Sequence, residues 1–80
     1  MLTDYINAAM RRAMYEILPD DHSYYGEIPG FDGVLANASS LEECRAELMS
    51  TLEDWILFRV SRHLPLPMVE GLSLAVGAPV

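Results

Sequence analysis

The sequence predicts an α+β fold in which one helix precedes a βββαβ unit. The unit forms a four-stranded mixed sheet with one long helix packed on one face. Three observations carry this prediction. Short alternating apolar segments between Pro, Gly and Asp residues predict strands within residues 13–38. A capped segment with apolar residues at helical spacing follows them. A last alternating segment over residues 68–76 predicts the final strand.

The first element is a helix over residues 1–12. Thr3 can cap it, and Asp4 lies favourably at its positive end. Its apolar residues recur at helical spacing, at Tyr5, Ile6, Ala9, Met10 and Ala13. The βββαβ core then occupies residues 13–76, and at 80 residues the chain, 1–80, is the size of a single domain.

Residues 13–18 allow two interpretations. The helical period could continue to Leu18, or the segment could be a strand with Tyr15 and Ile17 on one face and Glu16 on the other. Residues 23–28 alternate as a strand and need a neighbour. We therefore prefer a hairpin, with the turn cluster of residues 19–22 at its tip.

A third strand, over residues 34–38, leads into the long helix, predicted for residues 40–63. Ser40 with Glu43 forms a capping box, and Ser39 with Glu42 is an alternative one residue earlier. Pro65 and Pro67 end the helix. One narrow apolar stripe, widened by Ile56, faces the sheet: Leu41, Cys44, Leu48, Leu52 and Trp55.

The connections predict the order of the strands. The first three form an antiparallel meander, and the long helix crosses over so that the last strand runs parallel to the first or the third. We place the last strand beside the first, which gives the order 3-2-1-4. The other face of the sheet is then left for the N-terminal helix or another copy of the chain.

Composition favours a protein partner over a nucleic acid. The net charge is −7, from 12 acidic residues against 5 arginines and no lysine. Direct nucleic-acid binding needs basic clusters, whereas an acidic surface steers a basic protein. Cys44 is the only cysteine, which fits a reducing cytoplasm. No secretory signal or membrane-spanning apolar run is present.

The residues offer no reagents for catalysis, and we expect no enzyme, no cofactor and no metal. Metal-dependent cleavage of RNA needs a cluster of carboxylates around paired ions. Glu16 and Glu27 lie on neighbouring predicted strands, but no predicted strand carries an inward Asp that would anchor a metal. His22 belongs to a turn, and His63 lies at the end of a helix, where it interacts well with the dipole.

Taken together, the motifs resemble the HicB-like antitoxin family over residues 13–76. They are YYGEIPGF at residues 24–31, the Gly33 turn, SLEE at 40–43, WIL at 55–57 and LPLP at 64–67. The resemblance implies a truncated ribonuclease-H-like fold and the neutralisation of a small basic RNA-cleaving toxin, HicA. Many members add a C-terminal DNA-binding segment that this sequence lacks, and its N-terminal helix is often missing from short antitoxins of this kind.

The sequence thus predicts an antitoxin-type binding protein that occludes a basic toxin and forms a homodimer or higher oligomer. We expect partner contacts from Asp20, Asp21, Tyr25 and Glu27. We expect an apolar contact between copies, or with the partner, from Leu57, Phe58 and Val60. The alternatives are a stand-alone structural or adaptor protein of the same fold and, less favoured, a relic metal-dependent nuclease.

Overall fold

The computed structural model describes residues 2–71 as two helices and a three-stranded antiparallel sheet. In chain order the elements are α1 (Leu2–Arg11), β1 (Met14–Ile17), β2 (Tyr24–Glu27), β3 (Leu35–Ala38) and α2 (Leu41–Ser61). The α+β class is confirmed. The ambiguous segment after α1 is a strand, because it pairs with β2 along its whole length.

The sheet is the predicted meander, in the order β1-β2-β3. Residues 19–21 form the turn between β1 and β2, and His22 completes it with a φ of 58°. The backbone N–H of His22 donates to the carbonyl of Leu18 at 2.9 Å. The backbone N–H of Leu18 donates in turn to the carbonyl of Ser23 at 2.8 Å. The hairpin prediction, with its tip at residues 19–22, is therefore confirmed.

The predicted fourth strand is not present in the part of the chain that the structure describes. Val69 forms a single bridge, and Glu70 and Gly71 turn away with φ values of 48° and 78°. A strand therefore does not begin at Met68 as predicted. Residues 72–76, the remainder of that prediction, lie outside the described residues. The described sheet has three strands, which confirms the 3-2-1 part of the predicted order 3-2-1-4.

The start of α2 follows the predicted capping box. The Ser40 hydroxyl accepts the backbone N–H of Glu43 at 3.1 Å, and Ser40 has an extended backbone. The Glu43 carboxylate also accepts the hydroxyls of Ser40 and Ser39, at 3.1 and 2.8 Å. Ser40 is therefore the cap, and Ser39 supports it from outside the helix.

The end of α2 comes two residues earlier than predicted. His63 adopts a left-handed φ of 56°, its N–H donates to Val60, and the N–H of Leu64 donates to Arg59 at 2.8 Å. This pair of bonds is a Schellman motif, which closes a helix by satisfying its last carbonyls. The Arg59 side chain then holds the next segment, donating from Nε to the carbonyl of Pro65 at 2.8 Å.

The core lies between α2 and the inner face of the sheet. Gly26 on β2 allows the close approach, because a Cβ there would lie 2.9 Å from the Tyr15 ring and 3.1 Å from Cys44 Sγ. Leu41, a predicted stripe residue, is about half exposed, and Trp55 is only partly buried. The remainder of the stripe is fully or almost fully buried: Cys44, Leu48, Leu52 and Ile56.

Helix α1 packs against α2. The Tyr5 hydroxyl donates to the carbonyl of Pro67, and Arg11 binds the Glu70 carboxylate with two hydrogen bonds of 2.9 and 2.6 Å. These contacts tie α1 to the segment that follows α2. Within residues 2–71, no helix or further strand covers the sheet face that points away from α2. Neither helix of residues 2–71 has the length and apolar character needed to cross a membrane.

Candidate functional site

The open face of the sheet is the candidate site, and we call it the outer face. Directly paired residues of antiparallel strands share a face, so the register defines it. One row joins Met14, Glu27 and Leu35, and the next joins Glu16, Tyr25 and Asn37. The alternate rows, which contain Gly26 and Ala36, point towards α2.

The outer face combines apolar and acidic side chains on one accessible surface. Met14 and Leu35 lie at the two edges of their row and are 61% and 49% exposed. Glu27 lies between them in the same row, and Glu16 lies in the next row on β1. Both glutamates are also exposed. None of the six residues of this face is basic. Large apolar groups next to exposed carboxylates are suited to binding a cationic protein surface.

Tyr25 occupies the centre of the outer face and is held there by Glu27. Its hydroxyl donates to Glu27 Oε1 at 2.9 Å. This hydrogen bond raises the pKa of Tyr25, with smaller contributions from desolvation and from the charges of Glu27 and Glu16. The phenol therefore stays protonated and lies between two carboxylates, one beside it on β2 and one opposite it on β1.

Asn37 fixes the edge of the outer face where β2 begins. Its Nδ2 donates to the carbonyl of Tyr24 at 2.9 Å and to the hydroxyl of Ser23 at 2.8 Å. Both bonds reach from β3 to the start of β2. The Glu16–Tyr25–Asn37 row is thereby connected to the residues that follow the hairpin tip.

The hairpin tip carries the two predicted contact residues that lie outside the sheet. Asp20 is exposed. Asp21 Oδ1 accepts the backbone N–H of Ser23 at 3.0 Å, and its hydrogen bonds to Ser23 lower the pKa of Asp21. Asp21 therefore has a structural role in the turn. The tip extends the acidic character of the outer face beyond the row that contains Glu16 and Tyr25.

The four predicted contact residues thus form two groups. Tyr25 and Glu27 lie on the outer face, whereas Asp20 and Asp21 lie at its end. Sequence reasoning did not select Glu16, Met14 or Leu35 for this surface. The hairpin register was the signal that could have selected Glu16 and Met14, because it pairs them with Tyr25 and Glu27.

The predicted apolar contact residues lie on α2, which packs on the opposite face of the sheet. Leu57 and Phe58 are 64% and 52% exposed. Val60 is partly buried and packs against the core, so it contributes less free surface. Beside Leu57, an open groove of about 250 Å³ between α1 and α2 is lined by Leu2, Ile6, Glu53, Asp54 and Ile56.

The described residues contain no group of three or more His, Cys, Asp or Glu side chains placed to hold a metal ion. Glu16 and Glu27 are the carboxylates of the outer face. Cys44 is fully buried, its thiol contacts the carbonyl of Ala36 at 3.7 Å, and burial raises its pKa. A buried thiol of this kind packs as a small apolar group.

Comparison with known proteins places this fold in a family. Residues 4–67 match the UPF0150-like family. The chain belongs to the UPF0150-like family. This family is related to the HicB-like antitoxins. A crystal structure from Thermus thermophilus, of the protein TTHA0281, is similar to this UPF0150-like chain, with 44% identity and a TM-score of 0.89. The similarity covers 96% of this chain and 95% of that one. No curated protein matches the chain.

The matches extend over the N-terminal helix. The single domain predicted for residues 1–80 includes this helix beside a core of residues 13–76. The UPF0150-like match begins at residue 4, inside α1, and the Thermus structure covers nearly the whole chain. Helix α1 is therefore part of the UPF0150-like domain, consistent with its buried Tyr5, Ala8 and Ala9.

Proposed function

We propose that this protein is an antitoxin-type binding protein of the HicB kind, which neutralises a small basic RNA-cleaving toxin by covering its RNA-binding surface. The observation that carries the proposal is the outer face, where Glu16, Tyr25 and Glu27 form an open acidic surface without a basic residue. The relation of the UPF0150-like family to HicB-like antitoxins supports it.

Charge complementarity links this surface to that partner. A protein that cleaves RNA presents basic groups to the phosphates of its substrate. A carboxylate-lined surface that matches those groups competes with the RNA for them and accelerates the encounter. Occlusion needs no chemistry from the antitoxin. It requires only a preformed surface, and the hydrogen bonds of Tyr25 and Asn37 hold this one in place.

The apolar residues of the outer face would supply the affinity. Met14 and Leu35 lie on either side of Glu27 and are exposed enough to be buried by a partner. Interfaces are commonly stabilised by a few large side chains at their centre, with charged groups around them. In this scheme Tyr25 and Met14 are anchors, and Asp20 belongs to the rim.

The same proposal includes a cytoplasmic protein without enzymatic activity or cofactor. Its carboxylates bind cationic side chains in place of metal ions. The buried Cys44 fits a reducing compartment, since no second cysteine exists to pair with it. The partner is expected to be encoded beside this protein, as a short basic chain with a catalytic histidine.

The test is inhibition of RNA cleavage. The basic protein encoded by the adjacent reading frame would be purified, and its RNA cleavage measured with increasing amounts of this chain. We expect stoichiometric inhibition by the wild type. The double variant Glu16→Lys, Glu27→Lys should inhibit at least about tenfold more weakly, because it places like charges against the toxin.

The matched control is Glu47→Lys, an exposed charge reversal on α2. It changes the net charge in the same direction but leaves the outer face intact, so we expect nearly unchanged inhibition. Glu47→Lys reverses one charge and the double variant reverses two, so the losses are compared per reversed charge. An equal loss of inhibition per reversed charge would show that only the overall charge matters, and would overturn the assignment of the surface. No inhibition by the wild type would favour the adaptor alternative.

A further inference from the structure

The exposed side of α2 carries a charge pattern that is complementary to itself. Asp54, Phe58 and Arg62 follow one another at intervals of one helical turn, so they form a ridge on one side of the helix. We call these three residues the α2 ridge. An acid and a base lie at equal distances along the helix on either side of an exposed aromatic ring.

The ridge is accessible, and its charges are available for an external partner. Phe58 is 52% exposed and Leu57 beside it is 64% exposed. The Arg62 guanidinium lies over the Phe58 ring, 4.9 Å from its centroid. Within residues 2–71 the salt bridge is that of Arg11 with Glu70, so neither Asp54 nor Arg62 takes part in an ion pair there.

We propose that the α2 ridge binds a second copy of this chain, with the two helices antiparallel and the two-fold axis passing between the Phe58 rings. In this arrangement Asp54 of each copy meets Arg62 of the other. The interface is isologous, as two-fold dimers require, because one self-complementary patch serves both copies. Leu57 and Phe58 form its apolar centre.

The charges select this orientation. Parallel helices in register would bring Asp54 against Asp54 and Arg62 against Arg62, and like charges in contact oppose association. A contact nearer the start of α2 would bring the exposed Glu43 and Glu47 of two acidic chains together. With a net charge of −7 per chain, association is favoured where an acid and a base lie on either side of an exposed apolar side chain, as Asp54 and Arg62 do about Phe58.

The groove beside the ridge enlarges the apolar area. It lies between α1 and α2 and includes the exposed Leu2 together with Leu57. It adjoins the ridge at Asp54, which lines it. A second copy seated on the ridge therefore covers α2 side chains that the monomer leaves in water, which accounts for the apolar end of an otherwise acidic helix face.

This dimer leaves the outer face of the sheet free, since α2 packs on the opposite face. Each copy would then keep its own outer face accessible. The inference goes beyond the proposed function and does not depend on it: the chain can dimerise through α2 whether or not the outer face binds a toxin.

The test exploits the symmetry of the pairing. Sedimentation equilibrium would compare the wild type with Asp54→Arg and with Arg62→Asp, each of which places like charges at both pairs. We expect a dimer for the wild type and at least about tenfold weaker association for each variant. An equimolar mixture of the two variants should regain wild-type association as a heterodimer, because both pairs then unite opposite charges.

Circular dichroism checks that both variants remain folded, because Arg62→Asp also removes the cation–π contact to Phe58. The double variant Asp54→Arg, Arg62→Asp restores both pairs within one chain and should dimerise. A wild type that stays monomeric at high micromolar concentration would overturn the proposal. Folded variants whose mixture associates no better than each alone would also overturn it.

Discussion

Gly26 determines how closely α2 can approach the sheet. Gly26 is buried on β2, and any side chain there would contact the Tyr15 ring and the Cys44 sulfur. Cys44 is itself fully buried. The glycine therefore belongs to the packing of the core, where it permits close contact between the layers, and has no role in the outer face.

Gly26→Ala should lower the free energy of unfolding by about 1–3 kcal/mol, because the added methyl group overpacks the contact between the layers. Urea denaturation measures the change. The control is Glu16→Ala, on the neighbouring strand but facing solvent, which should stay within about 0.5 kcal/mol of the wild type. An unchanged or increased stability for Gly26→Ala would contradict the close packing described.

The Tyr25–Glu27 pair predicts a pH effect with a definite sign. The pair raises the pKa of Tyr25 above its ordinary value of 10.0. Its contribution to stability is therefore fully present below that value and is lost as the pH rises through the raised pKa. Glu27→Gln should lower the pKa of Tyr25 in an ultraviolet titration, with Tyr25→Phe assigning the signal. A pKa unaffected by the substitution would show that the hydrogen bond does not persist in solution.

At the scale of elements, the strongest local signals in the sequence were correct. The capping box at Ser40 marked the start of α2, and the turn cluster before His22 marked the hairpin. Both depend on contacts between residues that are close along the chain. The interaction of Arg59 with the Trp55 ring, 4.8 Å from its centroid, was predictable for the same reason.

The end of α2 and the position of α1 were less predictable. The helix stops because His63, a residue with a Cβ, takes a left-handed conformation that helical periodicity does not reveal. Helix α1 packs against α2, which depends on long-range contacts such as those of Tyr5 with Pro67 and Arg11 with Glu70. The hydrophobic pattern of the sequence alone also allowed α1 to cover the second face of the sheet.

The N-terminal cap of α2 offers a quantitative test at this scale. Ser40→Ala removes the acceptor for the Glu43 N–H and should reduce stability by about 1 kcal/mol. Ser39→Ala removes only a hydroxyl that reaches the Glu43 carboxylate, so its effect should be smaller. Thermal unfolding compares the two. A larger loss for Ser39→Ala would move the cap to the alternative position.

At the scale of the whole molecule, the fold separates two surfaces. The outer face of the sheet is acidic, with Glu16 and Glu27 around Tyr25, whereas the α2 ridge carries both signs of charge around Phe58. Because α2 packs on the inner face of the sheet, one surface does not obstruct the other. A dimer formed through α2 would present two binding faces.

The sequence alone indicated some residues of the outer face and of the α2 ridge, but not all of them. Alternation placed Tyr25 and Glu27 on one side of a strand, and the apolar end of α2 drew attention to Leu57 and Phe58. Which side of the sheet stays open depends on where the helices pack, and that is decided by the tertiary structure. The inclusion of Glu16 and Met14 likewise required the register of the hairpin.

Calorimetric titration of the proposed partner, a short basic protein encoded by the adjacent reading frame, into this chain tests the central claim most directly. Wild type and Glu47→Lys should bind with similar affinity, whereas Glu16→Lys, Glu27→Lys should lose at least about 1.4 kcal/mol of binding free energy, a tenfold change. Binding by the outer-face variant that equals that of the wild type would contradict the account, because the toxin would then be held by another surface.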